Sequence, residues 1–397
     1  MTPSAPHPSS STSRRSFLRL AGLAASLPVL SEGHLAWAAL QQSTTTPVPH
    51  GRMARVQGAI PPGAVMINAN ENPLGPCAAA IAAIEASAKT GGRYDDKGYA
   101  QALTGTFIQQ TGLPADHIAV YAGSSEPLQF SVLAFTSPTQ SVVIADPTYE
   151  AAMWAASSIG TKVVKVPLRA DYAHDVKAMA AADPTAGLLY LCNPNNPTGT
   201  LTTREDILWL LANKPKGSIL LVDEAYIHLS TSPSVLDMVA QDKDLIVLRT
   251  FSKVYGMAGI RCGFALGRPD LLQKLQRFGM NPMPVTALAA ATASLTDATL
   301  VESRRKIIAG IRNDTFAWLT AKGYNFIPSE SNCFMIDTGR PGKDVIAAMQ
   351  AHNVYIGRTW PVWPNHVRIT VGTAEEMAKF QTAFQAVMSQ PPSPTAA

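Results

Sequence analysis

Apolar and polar positions follow two distinct periods along this chain. Short apolar runs recur from residue 141 onward: Ser141–Ala145, stopped by Asp146-Pro147; Thr161–Val166, rich in β-branched residues; Gly187–Cys192, ended by Asn193-Pro194; Ser218–Val222, ended by Asp223; Leu245–Arg249, running into Thr250; and Gly263–Leu266, closed by Gly267. Runs of this length, rich in Val, Ile and Leu, predict strands. Several of them are apolar throughout rather than alternating, which predicts that helices cover them on both faces. Helical patterns lie between them, over Glu126–Phe135, Tyr149–Ser158, Thr203–Leu211 and Asp270–Phe278. Strand and helix in alternation predict an α/β fold with a mostly parallel sheet.

The pattern changes after Gly279. Pro284 to about Thr320 forms one long helical stretch, and a helix–strand–helix–strand segment follows, with strands near Asn332–Asp337 and His366–Val371. A last helix runs from Ala374 to Met388, with Thr373 or Gly372 as its cap and Glu375 and Glu376 suited to its positive end. This predicts a smaller α+β domain, to which residues before about Pro76 contribute. The expected organisation is a leader over 1–38, a linker and arm over 39–67, a large domain over 68–280, a small domain over 281–389, and a Pro/Ser tail without structure over 390–397.

The leader carries its own signal. Ser13-Arg14-Arg15-Ser16-Phe17-Leu18-Arg19 precedes a moderately apolar run, Leu20–Leu30, and Ala36-Trp37-Ala38 offers a small-residue cleavage site. That order resembles a bacterial twin-arginine export signal, which implies the twin-arginine translocation machinery as a partner and a periplasmic or otherwise extracytoplasmic location. Gly22 and Pro28 interrupt the apolar run, which is too short to span a membrane. Composition changes the picture only by exclusion. A net charge of +4 on 397 residues, with no block of Lys or Arg, offers no footprint for nucleic acid. Cys77, Cys192, Cys262 and Cys333 stand far apart in or beside apolar stretches, as buried free thiols do. The histidines are scattered without metal-ligand spacing, so no metal site is expected, and most read as solvated or helix-end residues.

Candidate chemistry gathers at predicted strand ends, where open α/β sheets bind ligands. Asp223 opens Asp223-Glu224-Ala225-Tyr226, Lys253 lies in Arg249-Thr-Phe-Ser-Lys253, and Gly123-Ser-Ser-Glu126 precedes a helix whose first N–H groups suit a phosphate. Taken singly, these are a turn former, a loop lysine and a helix cap. In order along the chain they say more. Asn70-Glu-Asn-Pro-Leu-Gly-Pro76, Arg93-Tyr-Asp-Asp96, Gly123-Ser-Ser-Glu126, Asp146-Pro-Thr-Tyr149, Asn193-Pro-Asn-Asn-Pro-Thr-Gly199, Asp223-Glu-Ala-Tyr226, Arg249-Thr-Phe-Ser-Lys253, Gly256-Met-Ala-Gly-Ile-Arg261 and Arg368-Ile-Thr-Val-Gly-Thr373 together resemble the fold-type I aminotransferases of class I/II. Within them the likeness is to the histidinol-phosphate aminotransferase branch, and it runs from about Asn68 to Phe380.

The resemblance implies a three-layer sandwich and pyridoxal 5′-phosphate as cofactor. It implies Lys253 as the Schiff-base lysine and proton carrier, Asp223 against the pyridine nitrogen, and Tyr226 and Asn196 on the 3′ oxygen. Tyr149 would stack on the ring; Ser124, Ser125, Thr250 and Arg261 would hold the phosphate. Tyr94 would reach that phosphate from the neighbouring subunit of a homodimer. Arg368 would clamp a substrate carboxylate, with Arg358 and Asn72 also on the substrate. An amino donor and a 2-oxo acid acceptor would exchange nitrogen by a ping-pong route. The donor stays open at this stage. Histidinol phosphate suits the branch, while Trp360 and Trp363 near Arg358 suit an aromatic or bulky apolar side chain as well as plain packing. A lyase or decarboxylase on the same scaffold would keep Lys253 and Asp223, and a non-catalytic binding protein would need them to be vestigial.

Overall fold

The computed structural model describes residues 60–279 and 281–391. The export-signal reading and most of the N-terminal arm lie outside the described residues, as do residues 392–397 of the tail. In chain order the strands are β1 (Val65–Ile67), β2 (Ile118–Tyr121), β3 (Val142–Asp146), β4 (Val163–Pro167), β5 (Leu188–Cys192), β6 (Ile219–Asp223), β7 (Leu245–Thr250), β8 (Gly263–Gly267), β9 (Asn325–Ile327), β10 (Cys333–Asp337), β11 (Val354–Ile356) and β12 (His366–Thr370).

A seven-stranded sheet in the order β2-β8-β7-β6-β5-β3-β4 is the middle layer of a three-layer α/β sandwich. From β4 to β7 every neighbour is parallel. β8 runs antiparallel to both β7 and β2, so β2 points the same way as the parallel set. Every residue of β5, β6 and β7 is buried, which is what uninterrupted apolar runs require. The helix Ser125–Phe135 packs across β5 and β6. All six predicted strands occur, displaced by two residues at most. β2 was not predicted, because a four-residue strand that alternates half-buried and buried positions carries too short a pattern.

The smaller body contains an antiparallel sheet, β12-β10-β9, and a parallel pair, β1 with β11. Through β1 the start of the described chain joins a strand near its end. The long helical stretch expected from Pro284 to Thr320 is two helices, Val285–Thr296 and Leu300–Ala321. Asp297 breaks it, because its carboxylate accepts from both the backbone N–H (3.0 Å) and the hydroxyl (2.8 Å) of Thr299. That local bonding competes with a continuous helix. The four cysteines are free, three of them buried and Cys77 partly so. Among the described histidines, His117 ends the short helical turn Ala115–His117 and His352 caps a helix, exposed, whereas His174 is buried with Nδ1 2.8 Å from the Thr202 hydroxyl. No helix among the described residues is long and apolar enough to cross a membrane.

Thr373, not Gly372, caps the last helix, Ala374–Ser389. Its hydroxyl accepts from Glu376 N–H (3.1 Å), and the Glu376 carboxylate accepts from Thr373 N–H (2.7 Å). This capping box holds the helix that packs on β1 and β11. Thr373→Ala is therefore expected to cost about 1 kcal/mol. A denaturant midpoint that falls at unchanged slope would show it; an unchanged midpoint would count against the cap.

Candidate active site

The parallel strands and β2 deliver their carboxyl ends to one edge of the sheet. A cavity of about 1270 Å³ opens there. All of the candidate residues except Asn72 and Tyr94 line it. Lys253 and Asp223 share it, arriving from the loop after β7 and the last position of β6.

Both groups are held away from their ordinary ionisation. Burial pushes the Lys253 amine down to about 8, and the Arg368 guanidinium adds to the effect. The Lys253 Nζ donates to the Asn70 carbonyl at 2.8 Å and lies 5.3 Å from the centre of the Tyr226 ring. Burial pushes the Asp223 carboxyl up to about 6, against hydrogen bonds from the Tyr190 hydroxyl (3.1 Å) and the Ala225 N–H (3.1 Å) and the charge of Lys253. A cation set against such a carboxylate would restore its full charge.

A cradle for an anion lies at the end of β2. Gly123 has φ +91°, and a Cβ built there would sit 2.1 Å from Arg261 Nη2, so only glycine lets the guanidinium lie on this turn. Arg261 is fixed by donation to the carbonyls of Ala122 (2.8 Å) and Ala258 (2.8 Å) and to the Ser252 hydroxyl (3.3 Å). The helix Ser125–Phe135 begins beside it with Ser124 as N-cap and no side-chain capping bond, which leaves its first N–H groups for a ligand. The Thr250 hydroxyl donates to Ser252 at 2.8 Å on the same rim. A guanidinium, a helix N-terminus and hydroxyls around a glycine turn fit a phosphate.

Two more guanidiniums face the cavity from the smaller body. Arg368, on β12, donates from Nη1 to Asn196 Oδ1 (2.9 Å) and from Nη2 to the Asn68 carbonyl (2.8 Å), while its buried Nε has no partner. Arg358 pairs with Glu150 and lies 4.6 Å from the ring centre of Trp360.

The family model for aminotransferase class I and II matches residues 63–384. The chain belongs to this family. It is 36% identical over 331 residues to the histidinol-phosphate aminotransferase of Symbiobacterium thermophilum, covering 82% of this chain and 91% of that one. It is 31% identical over 331 residues to the aromatic amino acid aminotransferase of Cutibacterium acnes, covering 82% and 93%. Among solved structures, histidinol-phosphate aminotransferase from Sinorhizobium meliloti in complex with pyridoxal-5′-phosphate superimposes with a TM-score of 0.74 at 26% identity, covering 81% of this chain and 90% of that one.

Within this aminotransferase frame one expectation needs revision. Asn72 does not face the cavity: its amide donates to the backbone carbonyls of Lys253 and Val254 (3.0 Å each), and its Oδ1 accepts from Leu74 N–H. Its polar atoms are consumed in bracing the lysine loop. Tyr94, expected to serve the neighbouring subunit's site, is 82% exposed and lines no part of the cavity of its own chain. A residue passed over is Asn70, which is buried, has φ +54°, accepts from Lys253 through its carbonyl and donates to the Tyr226 hydroxyl at 3.1 Å. The motif Asn70-Glu-Asn72 contained it, but choosing which asparagine faces inward required the backbone.

The Asp223 shift has a thermodynamic consequence for the cofactor-free aminotransferase. The folded state keeps this proton to about pH 6, whereas an ordinary carboxyl loses it near 3.8, so stability falls as pH rises through that window and the cost is complete above it. Asp223→Asn in the cofactor-free protein is thus expected to match the parent's Tm near pH 4 and to exceed it at about pH 7.5. Melting curves that differ equally at both pH values would contradict the assignment of the buried charge.

Proposed function

We propose that this aminotransferase binds pyridoxal 5′-phosphate in the cavity and moves an amino group between an amino donor and a 2-oxo acid, with Lys253 as the residue that bonds the cofactor and carries the proton. The observation that supports this most is the shared burial of the Lys253 amine and the Asp223 carboxylate in one cavity beside a phosphate-shaped cradle. The residues present fit the group. Arg261, Thr250 and the turn Gly123–Ser125 would hold its phosphate, Asp223 its ring nitrogen, and Tyr149 a face of its ring.

Pyridoxal 5′-phosphate supplies, when bound, an aldehyde and a pyridine ring that withdraws electrons from the donor's α-carbon. The chain's own groups do the rest. Lys253, with a pKa near 8, is partly neutral at physiological pH and can give and take a proton without a strong base nearby. The Tyr226 hydroxyl accepts from Asn70 and keeps its own proton for the cofactor's 3′ oxygen. The Asn196 carbonyl oxygen accepts from Arg368 and leaves its Nδ2 free for the same oxygen. Those two donors would stabilise negative charge there. Arg368 offers a planar fork whose present partners are neutral, which suits a donor carboxylate or phosphate.

The donor reading covers histidinol phosphate and aromatic amino acids, the two classes named for the relatives above. The reading also extends to a homodimer in which Tyr94 of each protomer reaches its partner's phosphate cradle; its exposed ring is available for that. Export by the twin-arginine route is supported by Arg14-Arg15 ahead of the apolar run Leu20–Leu30.

Lys253→Ala should lower both half-reactions by about 10³-fold or more, since no other amine lines the cavity among the described residues. Amino-group transfer followed by mass spectrometry of the 2-oxo acid formed checks this, and near-normal product formation would remove Lys253 from the role. Replacing Arg14 and Arg15 together by lysine should keep a C-terminally tagged chain in the cytoplasm; a periplasmic fraction that persists would speak against the twin-arginine route.

A further inference from the structure

The second guanidinium of the cavity already has an anion. Arg358 pairs with the carboxylate of Glu150, the residue directly after Tyr149. Its guanidinium is near two indoles, 4.6 Å from the ring centre of Trp360 and 5.6 Å from that of Trp154. Trp360 is itself tied to the sheet edge, its Nε1–H donating to the Thr148 carbonyl at 3.2 Å, and it lies 5.5 Å from the Arg368 guanidinium. The segment Thr148–Glu150 therefore fixes both the indole near the two arginines and the acid on one of them. Arg368 has only neutral partners, and none of the described acidic residues pairs with it.

This asymmetry decides what a donor meets. One anionic group goes to Arg368 without displacing a paired acid, replacing only neutral partners. A second anionic group must turn to Arg358 and compete with Glu150, whose side chain is only 18% exposed. Displacing Glu150 leaves a poorly solvated carboxylate beside the incoming anion, a repulsive arrangement that costs binding. A neutral planar or apolar side chain displaces nothing and meets Trp154, which lines the cavity.

We propose that Glu150 sets the balance between donor classes, competing with a second anionic group for Arg358 and so biasing the cavity toward donors with one anionic group and a neutral side chain. This assignment rests on the aminotransferase reading above. Glu150 acts through Arg358 and is a positioning residue for specificity.

The test is a pair of variants whose effects have opposite sign. In the cofactor-loaded enzyme, Glu150→Gln should raise the ratio of kcat/KM for glutamate to that for phenylalanine by about tenfold or more, because Arg358 becomes available to the second carboxylate. Arg358→Gln should lower the same ratio, because Glu150 then faces the cavity unpaired. A merely structural role would lower both donors together in both variants. Calorimetric affinities for two unreactive acids, glutarate and 3-phenylpropanoate, should shift in the same directions and do not depend on turnover. A ratio that stays within about twofold of the parent in either variant, or that moves the other way, overturns the assignment of Glu150. If the affinities shift as stated while the parent enzyme releases no 2-oxo acid from either donor, the aminotransferase reading fails and the role of Glu150 stands. If transfer proceeds and neither affinity nor kcat/KM ratio moves, the reverse holds.

Discussion

An amine and a carboxylate buried in one cavity is the constraint on which the rest of this structure depends. Burial lowers one group and raises the other, so both approach the pH at which they change charge. A chain that placed Lys253 and Asp223 together only to stabilise the fold would gain little, since a buried pair of this kind repays its desolvation poorly. The surrounding polar groups are arranged accordingly. Tyr190 and Ala225 satisfy the carboxylate and Asn70 receives the amine, and none of the three brings a full charge that would override the balance.

The segment from Asn68 to Asn72 is the link between the two bodies and the cavity. Asn68 accepts from Arg368 of the smaller body, Asn70 accepts from Lys253 and donates to Tyr226 of the larger, and Asn72 grips the backbone of the lysine loop. β1, immediately before it, pairs with β11. Three asparagines within five residues thus couple the position of a guanidinium on β12 to that of an amine after β7. An error at any one of them would be felt at both. The side chains of Asn70 and Asn72 are costly to bury and each finds partners on other elements, while Asn68 contributes through its backbone carbonyl.

Charge on the substrate side is distributed unevenly for a geometric reason. The indole of Trp360 contacts both the Arg358 and the Arg368 guanidinium, at 4.6 and 5.5 Å from its ring centre, and the segment that holds it also carries Glu150. Two arginines facing one cavity would repel each other and any cationic neighbour; pairing one with an acid lowers that repulsion while leaving the other exposed to a ligand.

Much of the fold was legible in the chain itself. Uninterrupted apolar runs become the buried strands β3 and β5 to β8 because a side chain's need to leave water is local, while the lysine-bearing run becomes the edge strand β4; the cap at Thr373 follows from short-range bonding. The ordered motifs likewise marked Lys253, Asp223, Gly123–Ser125 and Arg368 through their resemblance to the aminotransferase family, and the first three also stand where strands of the large sheet end, as ligand-binding groups of an α/β sheet do. Tertiary structure alone decided the rest. β2 forms because β8 offers it an edge, the predicted long helix breaks because Asp297 bonds Thr299, and Asn70 rather than Asn72 faces the amine because of how the backbone turns. The Glu150–Arg358 pair joins residues from opposite bodies of the molecule, and no period or spacing along the chain encodes it. Such contacts depend on where distant segments meet, and that is a property of the packed chain.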